Sequence, residues 1–265
     1  MTKINVLSDT HNEFLRQTTG YPDHKWKGEI SNTDADIIVL AGDIDVGVNG
    51  VKWAVDESER LSKPVLYVLG NHEFYDSEYN SMKEKIKKVA ENTDVHILDG
   101  DEFIFNNVRF LGMTLWTGYN LPGIYSDWAR EILDDDFIDH QVISFEYNGK
   151  TRKFSTNDAY ALHCQDTVWL ERKLLEDFEG KTVVVSHHGP HLKCQHPKFP
   201  LSEISMAFHS DLSNLFERYD IDAWIYGHTH SNIDLKIIKT RLISNQAGYP
   251  GERVEGFDIS KVINV

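Results

Sequence analysis

A layered α/β fold is what this sequence predicts. Short runs rich in Val, Ile and Leu recur along the chain, as buried strands require. Stretches with helical spacing lie between several of them. Five of the apolar runs also end in Asp, Asn or His, which places polar groups at one end of the expected sheet.

The strands read in order are "INVL" from Ile4, "DIIVLAG" from Asp36, "PVLYVLG" from Pro64 and "VRFLGMTLW" from Val108, followed by "KTVVVS" from Lys181, "DAWIYG" from Asp222 and "RLIS" from Arg241. The helix "VKWAVDESERLS" from Val51 should stop before Pro64, because a residue preceding proline avoids the helical region. "SMKEKIKKVAEN" places Met82, Ile86 and Val89 on one face. A longer helix is read from a capping Asn157 to a terminating Gly180, and a shorter one from Ser210. The segment 116–155 breaks the rhythm. Its aromatic stretch "WTGYNLPGIYSDW" is followed by an acidic run and by "VISFEYNGKTRKF", where Asn148-Gly149 signals a two-residue hairpin. With no linker and no internal repeat, residues 1–265 read as one domain carrying this elaboration.

Bulk properties bound the function. A formal charge of -15 argues against general affinity for nucleic acid or anionic membranes. No apolar run reaches membrane-spanning length, and the charged start "MTKINVLSDT" is not a signal peptide. Two cysteines, Cys164 and Cys194, suggest a reducing compartment, hence the cytoplasm. The oligomeric state is not readable.

The chemistry lies at the strand ends. "INVLSDTH" ends in Asp9 and His11, "DIIVLAGD" in Asp43, "PVLYVLGNHE" in Asn71 and His72, "KTVVVSHH" in His187 and His188, and "DAWIYGHTH" in His228 and His230. Ligands of open α/β sheets bind outside the carboxyl ends of strands, so these groups should converge. Strand alternation would put His228 and His230 on one face, and likewise Asp9 and His11. They are too many for one metal and suit two, with Asp43 able to bridge. Imidazole and carboxylate without thiolate favour Mn, Fe, Zn or Ni, with Mn expected to serve in vitro. Two such ions roughly 3.5–4 Å apart would clamp an in-line displacement at phosphorus and make hydroxide available near neutral pH.

The ordered set "DTH", "GD", "GNHE", "HH", "GHTH", spanning Asp9 to His230, resembles the calcineurin-like metallophosphoesterases. The resemblance implies a four-layer α-β-β-α sandwich. It implies one metal on Asp9, His11, Asp43 and His230, and another on Asp43, Asn71, His187 and His228. His72 would be the general acid that protonates the leaving oxygen. His188, Trp116 and Tyr119 are read as candidate substrate contacts, with packing as the competing role. The loop from Ser244 and the His-rich loop around His191 and His196 are further candidate rims. The second motif reads "GDIDVGVNG" where protein Ser/Thr phosphatases of the family read "GDxVDRG". The arginine is missing, and Asp45 is a candidate replacement for the Asp that pairs with the catalytic histidine. The chain therefore looks closer to the bacterial class III cyclic-nucleotide phosphodiesterases. The expected activity is hydrolysis of a small phosphodiester or phosphomonoester, nucleotides among them. A metal-dependent nuclease, a protein phosphatase and a non-catalytic scaffold of the same fold are the alternatives.

Overall fold

Parallel strands covered on both faces build the centre of the molecule. The computed structural model describes residues 1–16 and 23–265. The first sheet uses β1 (Lys3–Leu7), β2 (Ile37–Ala41), β3 (Val65–Val68), β4 (Val95–Ile97) and, returning at the end of the chain, β13 (Val262–Asn264). The second uses β5 (Asp101–Phe105), β6 (Val108–Met113), β9 (Lys181–Ser186), β10 (Ala223–Tyr226), β11 (Asp234–Ile237) and β12 (Thr240–Ser244). Their orders are β13-β1-β2-β3-β4 and β11-β12-β10-β9-β6-β5. β1 through β4 run parallel, as do β6, β9, β10 and β12, while the edges formed by β13, β5 and β11 are antiparallel.

Alternation along each strand sorts the side chains into layers. Ile4, Val6, Ile37 and Val39 of the first sheet pack against Phe110, Val183, Val185 and Ile225 of the second. The intervening Leu7, Ile38, Leu40 and Tyr67 face α2 (Asn49–Leu61) and α3 (Tyr79–Ala90) on one outside. Leu111, Val184, Trp224 and Leu242 face α6 (Thr156–Leu175) and α7 (Ser213–Arg218) on the other. The result is the expected four-layer α-β-β-α sandwich. α2 stops at Leu61, just ahead of Pro64, and α3 buries Ile86.

Two helix starts differ from the sequence reading. α6 is capped by Ser155 rather than Asn157: the Ser155 hydroxyl accepts the Asp158 N–H and the Asp158 carboxylate accepts the Ser155 N–H, a reciprocal box. It also ends well before Gly180, because Arg109 on β6 donates to the carbonyls of Lys173 and Glu176 at 2.9 and 3.1 Å. α7 starts at Ser213, where the Asp211 carboxylate accepts the Ser213 N–H, while Ser210 is engaged by the Gly118 N–H at 2.8 Å.

Segment 116–155 contains α4 (Ser126–Asp136), α5 (Asp139–Val142) and a hairpin of β7 (Ser144–Tyr147) and β8 (Lys150–Lys153). Asn148 and Gly149 both take positive φ, 51° and 71°, as a tight two-residue hairpin turn requires. An aromatic cluster fixes the segment to α3: Phe154 lies 4.6 Å from Trp116 and 5.9 Å from Tyr79, ring centre to ring centre.

Candidate metal centre

The carboxyl ends of β1, β2, β3, β9 and β10 meet at one cleft, and a bridge from Ser8 to Gln246 joins the two sheets there. The chain turns sharply as it leaves the strands. Asp9, His11, Asp43, His228 and His230 all hold positive φ, between 45° and 71°. Such backbone is strained for residues other than glycine and gathers at functional sites. The turns also overturn the simple alternation expected for the last pair. His230 joins Asp9 and His11, whereas His228 joins Asp43 and His187. His11, Asp43 and His72 form a third close group.

Packing between the turns is tight. A Cβ on Gly70 would run into Asp43 and His187, and one on Gly42 into His187, so both positions require glycine. Glu73, quoted in "GNHE" without a role, supplies the tie. Its buried carboxylate accepts N–H groups from Asp43 (3.1 Å), Ile44 (2.8 Å) and Gly70 (2.7 Å), and the Tyr67 hydroxyl (2.7 Å). Burial and the neighbouring Asp43 push its pKa up to about 7.

Outward hydrogen bonds assign the tautomers of the histidines. His11 Nδ1 faces Glu13 Oε1 at 3.2 Å, and His230 Nδ1 faces Glu252 Oε2 at 2.5 Å. Each Nδ1 therefore carries a proton and turns its ring so that the two Nε2 atoms point inward, 3.1 Å apart. His187 Nδ1 donates to the Ala41 carbonyl at 2.8 Å, and His228 Nε2 to the Ala207 carbonyl at 3.2 Å. Asn71 donates its amide N–H to Asp139 at 2.9 Å, which turns its oxygen inward. His187 Nε2 then faces Asn71 Oδ1 at 3.0 Å, His228 Nδ1 at 3.2 Å and Asp43 Oδ1 at 3.4 Å. Asp9 Oδ1 accepts the His228 N–H, and Oδ2 is buried without a protein partner. Carboxylate and amide oxygens and inward ring nitrogens converge here, an arrangement that positive charge satisfies. The field agrees: against the opposing effect of burial, Asp43 holds His187 up at about 9, and Asp9 with Glu252 holds His230 up at about 10. The donor set and the orphaned Asp9 oxygen thus fit divalent metals.

His72 lies at the cleft edge. Its Nδ1 faces Glu13 Oε1 at 3.0 Å and its Nε2 the Tyr249 hydroxyl at 3.0 Å. Glu13 therefore spans His11 and His72 through one oxygen. Burial pushes this carboxyl up, but the two imidazoles outweigh that and hold it down at about 2. Asp45 does not take the role open to it from the sequence, because it is paired with Arg16 and accepts the Val46 N–H. Glu13 and Glu252 were missed; the signal available was the continuation of "DTHNEF", two residues beyond His11.

Three expected substrate contacts lie elsewhere. Trp116 and Tyr119 are buried in the core beside α3 and α4, anchored by the aromatic packing of the elaboration. His188 is buried behind His228, between that ring at 4.3 Å and Trp116 at 5.2 Å, with Nδ1 on the Thr114 carbonyl. The cleft, about 790 Å³, is walled instead by Tyr249, Glu252 and Arg253 from the loop after β12, and by His196 and Phe199 from the His-rich loop. Among the described residues, His191, Cys194 and His196 form no metal cluster.

The family model for calcineurin-like phosphoesterases matches residues 2–232. The chain belongs to this family. The phosphoesterase is 23% identical over 269 residues to the uncharacterized protein L509 of Acanthamoeba polyphaga mimivirus, covering 96% of this chain and 93% of that protein. It shares its fold with the crystal structure of phosphopantetheinyl hydrolase (PptH) from Mycobacterium tuberculosis, with a TM-score of 0.72 and 18% identity over 99% of this chain and 95% of the other. It is a hydrolase acting on phosphoric ester bonds. No helix among the described residues is long and apolar enough to cross a membrane.

Proposed function

We propose that the protein is a dinuclear metal-dependent phosphoesterase acting on a small phosphodiester or phosphomonoester, nucleotides included. One ion is held by Asp9, His11, Asp43 and His230, and the other by Asp43, Asn71, His187 and His228. The observation that carries this reading is the inward convergence of four ring nitrogens, each aimed by an outward hydrogen bond on the other nitrogen. Bound divalent ions supply Lewis-acid charge on phosphate and lower the pKa of water. The protein's own part is to aim the ligands, and to hold His72 by its Nδ1 so that Nε2 can give a proton to the leaving oxygen. A cleft of about 790 Å³ suits a small molecule, and the charge of -15 supports that over nucleic acid. Both thiols, Cys164 and Cys194, are unpaired, which supports a reducing compartment such as the cytoplasm.

The test is hydrolysis of bis-p-nitrophenyl phosphate and p-nitrophenyl phosphate by metal-stripped protein before and after adding Mn²⁺, Fe²⁺, Zn²⁺ or Ni²⁺. Activity restored by metal, Mn²⁺ first among them, is expected. No turnover of either ester with any of the four ions contradicts the proposal, and nicking of plasmid DNA would move it to a nuclease.

A further inference from the structure

Beside the metal centre, a second chamber of about 370 Å³ shares Phe199, Phe208, His196 and Thr229 with the cleft, so the two spaces adjoin across these side chains. The Phe208 ring stacks on His228 at 4.8 Å and forms the shared wall next to a candidate ligand. Pro200 and Ile204 complete an apolar lining, and no lysine, arginine or carboxylate contributes to it among the described residues. Phe199 and Ile204 are exposed, and Leu201 beside them is too. His209 also lines this chamber, and both its ring nitrogens are buried without a partner. Burial holds it neutral, with its pKa down at about 4. A buried imidazole without partners is costly, and a hydroxyl or carbonyl of an occupant would relieve it.

We infer that this chamber binds the uncharged, apolar arm of the phosphate ester whose phosphate sits at the metal centre. The inference rests on the phosphoesterase reading above and narrows its substrate class to esters of bulky apolar alcohols, of the size of a six-membered ring or a short branched chain. Adjacency to the cleft selects a substrate arm as occupant, because a molecule whose phosphate lies beside His228 can lay its ester arm over Phe208 and Thr229 into the chamber. The absence of formal charge in the lining selects against a second phosphate or a carboxylate on that arm.

Two alkyl esters of like leaving-group basicity test it: ethyl phosphate and 2-cyclohexylethyl phosphate, assayed by phosphate release with the metal-loaded protein. The cyclohexyl ester should have a kcat/KM at least about tenfold higher, since each added methylene in a fitted apolar pocket is worth that order. Ile204→Trp, which fills the chamber from an exposed position, should erase most of the preference, and Phe199→Ala, which removes a wall, should reduce it. In parallel, calorimetry with metal-free protein should show 2-cyclohexylethanol binding to the wild type and weakened binding to Ile204→Trp. Equal kcat/KM for both esters, or a preference untouched in both variants, overturns the inference. So does a wild-type dimer in sedimentation that Ile204→Trp splits without changing the preference, since the apolar face would then be a subunit contact. If neither ester is hydrolysed while the alcohol still binds in a manner sensitive to Ile204→Trp, the apolar site stands and the phosphoesterase reading falls.

Discussion

At the scale of residues, the site is built from side chains that each have two jobs. His11, His187, His228 and His230 spend one ring nitrogen on the protein and aim the other inward. The left-handed backbone of His11, His228 and His230 costs about 1 kcal/mol or more per residue, a cost carried by the packed sheets beneath. His72 differs, because Glu13 holds its Nδ1 while its Nε2 meets the Tyr249 hydroxyl and, at 3.9 Å, Asp43. If it gives its proton to the leaving oxygen, the loss on mutation depends on that oxygen. His72→Ala should slow an alkyl ester by roughly 10²–10⁴-fold, and a p-nitrophenyl ester far less, at unchanged metal content. Turnover on both esters, with metal content measured on the same sample, checks this. Equal losses would assign His72 to orienting the substrate, and a lost metal would make it a ligand.

At the scale of elements, the strands were legible because parallel strands covered on both faces read as unbroken Val, Ile and Leu runs, as in "KTVVVS". The ends of helices were less so. Either Ser155 or Asn157 could cap α6, and the choice was made by Asp158 closing the box. The end of the same helix was set by Arg109, a contact 64 and 67 residues distant in sequence. α6 is also tied to the segment after β6 by His163, whose Nδ1 donates to the Leu115 carbonyl at 2.9 Å. Burial lowers the His163 pKa from 6.5 to about 4, against the pull of the backbone carbonyls. The unfolded chain therefore takes up this proton first as pH falls. The stability linked to neutral His163 is fully present above pH 6.5 and is lost as pH falls toward about 4. Chemical unfolding at pH 7.5 and 5 should show the wild type losing about 2 kcal/mol more than His163→Gln across that interval. Parallel losses in the two proteins would remove His163 from the account.

At the scale of the whole molecule, two sheets bring five strand ends together, so residues from Asp9 to His230 share one cleft. That convergence could be read from sequence because each polar group follows directly on an apolar run. The walls could be read only as loops: the loop from Ser244 and the His-rich loop around His196 are candidate rims in the sequence, but which of their side chains face the cleft depends on how both sheets end. Trp116 and Tyr119 show the matching limit: an aromatic stretch after a strand looks the same whether it faces a cleft or packs an elaboration onto α3, and here both side chains are buried in the core. Asp43 is the one carboxylate shared between two of the three clusters, and both proposed ions depend on it. Protein stripped of metal, reloaded with Mn²⁺ and desalted should carry two ions per chain by elemental analysis, and folded Asp43→Asn should lose both to a large degree. A wild type that never exceeds one ion per chain, or an Asp43→Asn protein that keeps two and hydrolyses bis-p-nitrophenyl phosphate normally, would contradict the two-ion reading.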